Sequence, residues 1–168
     1  LEIQIDKLER MGIKDIILVR SIDEEVPKAR RVTDHFTDRG PLGGIHAGLQ
    51  ACENSSCLFL GVDVPLVPED FLLELIRQHT SGITIARSKG YDEPLIAIYD
   101  ASLADVIPPL IKDQGAPVRE LFKYAPVHRV TYTGPEDLLK NCNTPEDYAE
   151  TCQTSAQNKN NTWMLKFL

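Results

Sequence analysis

The chain has 168 residues, with 18 basic and 25 acidic side chains and a net charge of -7. That length fits one domain with a core large enough to need no disulfide or metal staple. With 42% apolar and 26% charged residues the composition is globular, not disordered. The acidic balance argues against general nucleic-acid binding, since no long-range positive field draws in a phosphate backbone. No apolar run approaches the length that a membrane span needs.

The elements follow in chain order. Leu1, Ile5, Leu8 and Met11 fall at helical spacing and Gly12 is placed to end that helix. The chain opens without Met and reads as the inside of an amphipathic helix. Ile13–Val19 is a short buried strand, Ser21–Lys28 a polar connection, and Arg31–Thr33 a strand ending at Asp34. A Gly/Pro-rich loop, Arg39–Gly44, leads into a helix from Ile45 to Cys52. Cys57–Val62 is a continuous apolar strand ending at Asp63, and Glu69–His79 an amphipathic helix with acids in its first turn.

Gly82–Arg87 and Leu95–Tyr99 are strands joined across Ser88–Pro94. Ser102–Ile111 is helical but divided by Pro108-Pro109, and Val118–Tyr124 is a short helix after Pro117. Val127–Thr133 closes the strand set; it and the Leu95 strand come late enough to pair antiparallel. Thr144-Pro145-Glu146-Asp147 is a helix start with Thr as N-cap. Strands alternating with helices predict an α/β fold: a three-layer, Rossmann-like, mostly parallel mixed sheet with helices on both faces. Residues 1–150 form the domain and 151–168 a tail that is Asn-rich and then apolar from Trp163 to Leu168. Cys52, Cys57, Cys142 and Cys152 lack CxxC spacing, which favours free thiols in a reducing cytoplasm.

Several positions offer chemistry, each with a plainer alternative. Asp63, after an apolar strand, stands where ligands sit in open α/β sheets, and a carboxylate there can hold Mg²⁺ against phosphates. It reads equally as an acid opening the turn before Pro65. Gly40–Gly48 (GPLGGIHAG) can bring backbone N–H groups to a ligand, or serve only as a turn and a close packing surface. It lacks the Walker order. His46 inside it reads as structural. Asn141 and Asn143 offer amide groups to a heterocycle or phosphate, or ordinary capping. Asp34 can accept from a ribose or base, or be a solvated turn acid. Asp92-Glu93 at the joint between two strands, and Arg119 with Lys123, read locally as solvated faces.

In order, Asp34, GPLGGIHAGL (Gly40–Leu49), LGVDVPLVP (Leu60–Pro68), EPLIAIY (Glu93–Tyr99) and NCNTPEDY (Asn141–Tyr148) resemble the molybdenum cofactor guanylyltransferase family over roughly residues 1–150. The resemblance implies the nucleotide-diphospho-sugar transferase type of fold. It implies transfer of GMP from GTP to molybdopterin with release of pyrophosphate, in a Mg²⁺-dependent cytoplasmic enzyme. Asp63 matches the catalytic acid that binds Mg²⁺ and the phosphates. Asp34, Gly43 and Gly44 match the nucleotide pocket. Asn141 and Asn143, with Arg119, match the molybdopterin side. GTP, the molybdenum cofactor, other proteins of its biosynthesis and recipient molybdoenzymes are the implied partners, with no nucleic acid and no membrane.

The family's opening strand and phosphate loop, LAGGxSxRMGxDK, do not occur in the sequence. By the resemblance they would occupy roughly 20–30 residues ahead of Leu1, allowing a strand, a loop and a helix start of ordinary size. Two other expectations compete: a transferase using CTP or a sugar phosphate, and a non-catalytic cofactor-binding module.

Overall fold

The computed structural model describes residues 1–19, 26–36, 40–112, 116–144 and 147. The polar connection 20–25 and the tail 151–168 lie outside the described residues, so the division at residue 150 stays an expectation.

Helix α1 (Glu2–Arg10) ends as Gly12 predicts. Gly12 adopts φ +82°, its N–H donates to Glu9 O, and the Ile13 N–H reaches back to Leu8 O. Those two bonds are a Schellman closure, which needs the left-handed conformation that glycine adopts at little cost. Strands β1 (Ile17–Val19) and β2 (Arg30–Val32) then pair in parallel. Helix α2 (Pro41–Ala51) starts four residues earlier than the sequence pattern predicts, with Pro41 in its first turn. Pro is tolerated there because its missing N–H would have had no helical partner.

The larger sheet contains β3 (Ser56–Leu60), β4 (Ile83–Ser88), β5 (Tyr91–Asp100) and β6 (Val127–Thr131) in the order β3-β5-β4-β6. β5 runs antiparallel to β3 and β4, whereas β6 runs parallel to β4. The expectation of an antiparallel Val127 strand is therefore corrected. Between β5 and β6 the chain passes through a 3-10 helix (Ala101–Asp105), α4 (Ile107–Ile111) and a second 3-10 helix (Val118–Lys123). The connection passes over β4, and because β5 runs against β4, a β6 antiparallel to β5 lies parallel to β4.

The joint between β4 and β5 is also tighter than expected. Lys89 and Gly90, both at positive φ, make a two-residue hairpin, so Asp92, Glu93 and Pro94 belong to β5. The register jumps from Ile85↔Ala97 to Ala86↔Glu93, and the bulge this creates contains Pro94. A bulge is where a strand accommodates a residue with no N–H to donate. The Tyr99 hydroxyl donates to Pro94 O at 2.9 Å and fixes the bulge from beneath.

Alternation along these strands divides the core. Ile83, Ile85, Ala97 and Tyr99 pack with Leu42, Ile45 and Leu49 of α2 and Ile107 and Ile111 of α4. Ala86, Ile96, Ile98 and Val130 pack on the other face with Phe71, Leu72 and Leu75 of α3 (Glu69–Gln78). The result is the three-layer α/β arrangement with a mixed sheet. No described helix is long and apolar enough to cross a membrane.

Candidate functional site

The direction of the strands gathers the acids. Arg30, at the start of β2, donates to Ala51 O at the C-terminal end of α2. Ser56, at the start of β3, receives a contact from Cys52 Sγ at that same end. Both strands therefore run away from the end of α2. Asp34 and Asp63, which follow them, emerge at the same carboxyl edge, where ligands bind in open α/β sheets.

Each carboxylate rests against a glycine. A Cβ added to Gly43 would lie 2.6 Å from Asp34 Oδ2, and one added to Gly61 would lie 2.5 Å from Asp63 Oδ1. Both are far inside contact distance, so the bare backbone lets the acids sit where they do. Asp34 Oδ1 accepts the Phe36 N–H at 2.7 Å. The Phe36 ring meets buried His46 edge-on at 5.2 Å, which gives His46 the structural role expected of it. Burial holds the His46 imidazole below its usual pKa. Gly44 faces Val19 at ordinary contact distance and lines the cleft beside Asp34.

Gly43→Ala should displace the Asp34 carboxylate and break its bond from Phe36. We expect a stability loss of about 1 kcal/mol, readable by calorimetry, and an unchanged melting temperature would show that the carboxylate does not need the bare backbone at this position.

Asp63 is held from the far end of the chain. Asn141 Nδ2 donates to Asp63 Oδ2 at 2.9 Å, and the Cys142 N–H donates to the Asp63 carbonyl at 2.5 Å. Asn141 thus reaches the acid itself. Asn143 gives its backbone N–H to Asp147, and Thr144 and Asp147 exchange bonds in the reciprocal pattern of a capping box, while the helix predicted to follow falls largely outside the described residues. Pro145 and Glu146 lie outside the described residues. Arg119 is exposed on the 3-10 helix that packs through Val118 and Leu121 on the α2 side. No described contact brings it to Asp63.

The sequence reading missed two contributions. Glu93, in the β5 bulge, is pushed above the usual carboxyl range by burial and then by the charges of Asp63 and Asp92. Asp92 is itself paired with Arg129 at 3.0 Å. Pro94 within an otherwise apolar strand was the available signal for that bulge. Second, α1 clamps the segment after β3. Gln4 Nε2 donates to Gly61 O and Val64 O at 2.8 and 3.0 Å, and Lys7 Nζ to Pro65 O and Val67 O at 2.7 and 2.6 Å. Both side chains are buried, and burial lowers the Lys7 ammonium to about 8. Among the described residues no three His, Cys, Asp or Glu converge as a metal cage.

The sequence pattern of the MobA-like NTP transferase domain matches residues 1–130. The chain belongs to this family. A probable molybdenum cofactor guanylyltransferase of Flavobacterium johnsoniae is 32% identical over 120 residues, which is 70% of this chain and 63% of that protein. The chain therefore spans just under two thirds of that relative. Among solved structures, molybdopterin-guanine dinucleotide biosynthesis protein A of Archaeoglobus fulgidus superposes with a TM-score of 0.69 at 22% identity, covering 91% of this chain and 85% of that one. A Mycobacterium tuberculosis protein solved in complex with manganese superposes with a TM-score of 0.60 at 14% identity, covering 89% and 83%. These likenesses agree with the mixed α/β sheet of a MobA-like domain.

Proposed function

We propose that this MobA-like domain transfers GMP from GTP to molybdopterin. The observation that carries the reading is the pair of glycine-seated carboxylates at one edge of the sheet, with Asn141 holding Asp63. An oxygen of the molybdopterin phosphate attacks the α-phosphorus of GTP. The bond from that phosphorus to the bridging oxygen breaks, and pyrophosphate leaves. Catalysis of this kind is mostly positioning and electrostatics, which suits an edge with no activated nucleophile.

The residues fit a divalent cation such as Mg²⁺. Asn141 occupies Asp63 Oδ2 and leaves Oδ1 to a metal. The scarcity of further ligands matches Mg²⁺, which takes one or two carboxylates and completes its shell with phosphate and water. When bound, the ion neutralises phosphate charge. The manganese complex of the fold neighbour supports this reading. Glu93, with its raised pKa, adds a second carboxyl group beside Asp63. Asp34, with Gly43 and Gly44 near the start of α2, serves the nucleotide, and Asn143 and Arg119 the pterin side. Cys52 and Cys57 form no disulfide among the described residues.

The intact protein, given molybdopterin and α-labelled GTP or CTP in parallel, should form the guanine dinucleotide in clear preference. Equal or better use of CTP would overturn the guanine assignment. Failure with both nucleotides would favour a non-catalytic cofactor-binding role.

A further inference from the structure

Cys52 and Cys57 take no part at the acidic edge, and the fold brings them together at the other end of the same elements. Cys52 follows the last residue of α2, and Cys57 is the second residue of β3. The register between the two elements is fixed further along. A Cβ on Gly48 would lie 2.8 Å from the Phe59 ring, so these residues face each other. Residues four apart share a helix face, and residues two apart share a strand face. Four residues of helix advance about 6 Å, and two residues of strand about 7 Å. Because β3 runs away from the end of α2, one such step toward that end leads from Gly48 and Phe59 to Cys52 and Cys57.

The contacts of the two thiols agree with that register. The Cys57 side chain packs with Phe59 against the core that contains Ile45 and Leu49 of α2. The Cys52 thiol reaches the start of β3, where Ser56 O lies at 3.4 Å, and it also meets Asn54 O at 3.4 Å. Ser56 O belongs to the peptide bond that joins Ser56 to Cys57. Cys57 Sγ has a long contact, 3.9 Å, with Leu58 O. Thiols are weak donors, so these contacts hold neither sulfur firmly.

The environment also separates the two thiols by role. Burial, followed by the charge and hydrogen bonding of Cys52, pushes the Cys57 thiol up to about 12. Cys57 therefore stays protonated at neutral pH, and the thiolate is the form that attacks. Cys52 is half-buried beside the exposed turn 53–55, where a small molecule meets it first. Cys142 is placed elsewhere. Its N–H bonds to Asp63 O, beyond the far end of β3.

We propose that Cys52 and Cys57 are a redox modification site, a thiol pair that closes to a disulfide by exchange with a small-molecule disulfide. The Cys52 thiol loses its proton to water, and the thiolate attacks one sulfur of the small disulfide. That S–S bond breaks, a mixed disulfide forms on Cys52, and one small thiolate leaves. The Cys57 sulfur then attacks Cys52 Sγ. The mixed S–S bond breaks, and the second small thiolate departs with the Cys57 proton. The two cysteines are oxidised and one small disulfide is reduced to two thiols. The new bond fastens the end of α2 to the start of β3. The inference rests on the packing of α2 on β3 and is independent of the nucleotidyl-transfer reading.

The test places the full chain in mixtures of reduced and oxidised glutathione, then quenches with acid, alkylates in urea and digests with trypsin. Peptide 40–77 contains Cys52 and Cys57 and no other cysteine. As the mixture becomes more oxidising, this peptide should pass from doubly alkylated to unalkylated, lighter by its two thiol hydrogens. Cys57→Ser should stop at glutathione bound to Cys52, and Cys52→Ser should leave Cys57 open to alkylation. The equilibrium constant for closure should be at least about tenfold larger in the native chain than in the chain unfolded in urea, because the fold holds the thiols together. Equal closure in urea would overturn the proposal. So would two alkylated thiols in the most oxidising mixture, glutathione that stays on Cys52 while Cys57 is present, or a bond from either sulfur to Cys142.

Discussion

Asp63→Ala, made in the intact enzyme, should lower GMP transfer by about a thousandfold, the scale seen when one charge-stabilising group is removed from a preorganised site. Stability should change little, because Asp63 is only half-buried and its structural bond from Cys142 uses the backbone carbonyl, which alanine keeps. Asn141→Ala should cost much less, roughly tenfold, since it frees the carboxylate without deleting it. The Asn141 loss should also be partly recovered at high Mg²⁺, which can still capture a looser carboxylate. The measurements are single-turnover transfer and metal titration for each variant. Full activity in Asp63→Ala would end the metal assignment, and equal losses in the two variants would mean that Asn141 contacts substrate directly.

The second large effect concerns Lys7. Its ammonium is buried and bridges Pro65 O and Val67 O, so α1 is fastened to the segment that carries Asp63. Lys7→Ala leaves both carbonyls without that donor and opens a void, and we expect a loss of about 2–4 kcal/mol in urea unfolding. The pH dependence follows from burial, which lowers the folded pKa from 10.5 to about 8. Below pH 8 the lysine is protonated in both states and contributes no slope. Between about 8 and 10.5 the unfolded chain holds more protons than the folded one, so stability from this group rises with pH. The gap in urea midpoint between the parent chain and Lys7→Ala should therefore widen across that window. A constant or shrinking gap would show that Lys7 is not desolvated in solution.

Legibility in the sequence depended on how local the cause was. Gly12 ends α1 as expected because a Schellman closure involves only neighbouring residues. Thr144 and Asp147 form the capping box for the same reason. Asp63 was legible as an edge carboxylate because an apolar strand followed by an acid and prolines is a contiguous signal. Its partners were not. Asn141 is 78 residues away, and Glu93 arrives only through the β5 bulge. Lys7 lies off the Leu1, Ile5, Leu8 and Met11 stripe of α1, yet its side chain is buried against the segment after β3. The direction of β6 was equally hidden, since strand patterns carry no sign for the sense of pairing.

By itself, the sequence determined the kind of chain this is. Composition set a globular chain, periodicity set most elements and their α/β alternation, and an ordered series of short motifs pointed to the MobA-like family. Tertiary structure decided which acids share an edge, which side chains hold them, and which thiols lie together where α2 meets β3. The reason is physical. Periodicity and capping are fixed by contacts a few residues apart, whereas a carboxylate's partners and a strand's neighbour depend on packing between segments distant in the chain.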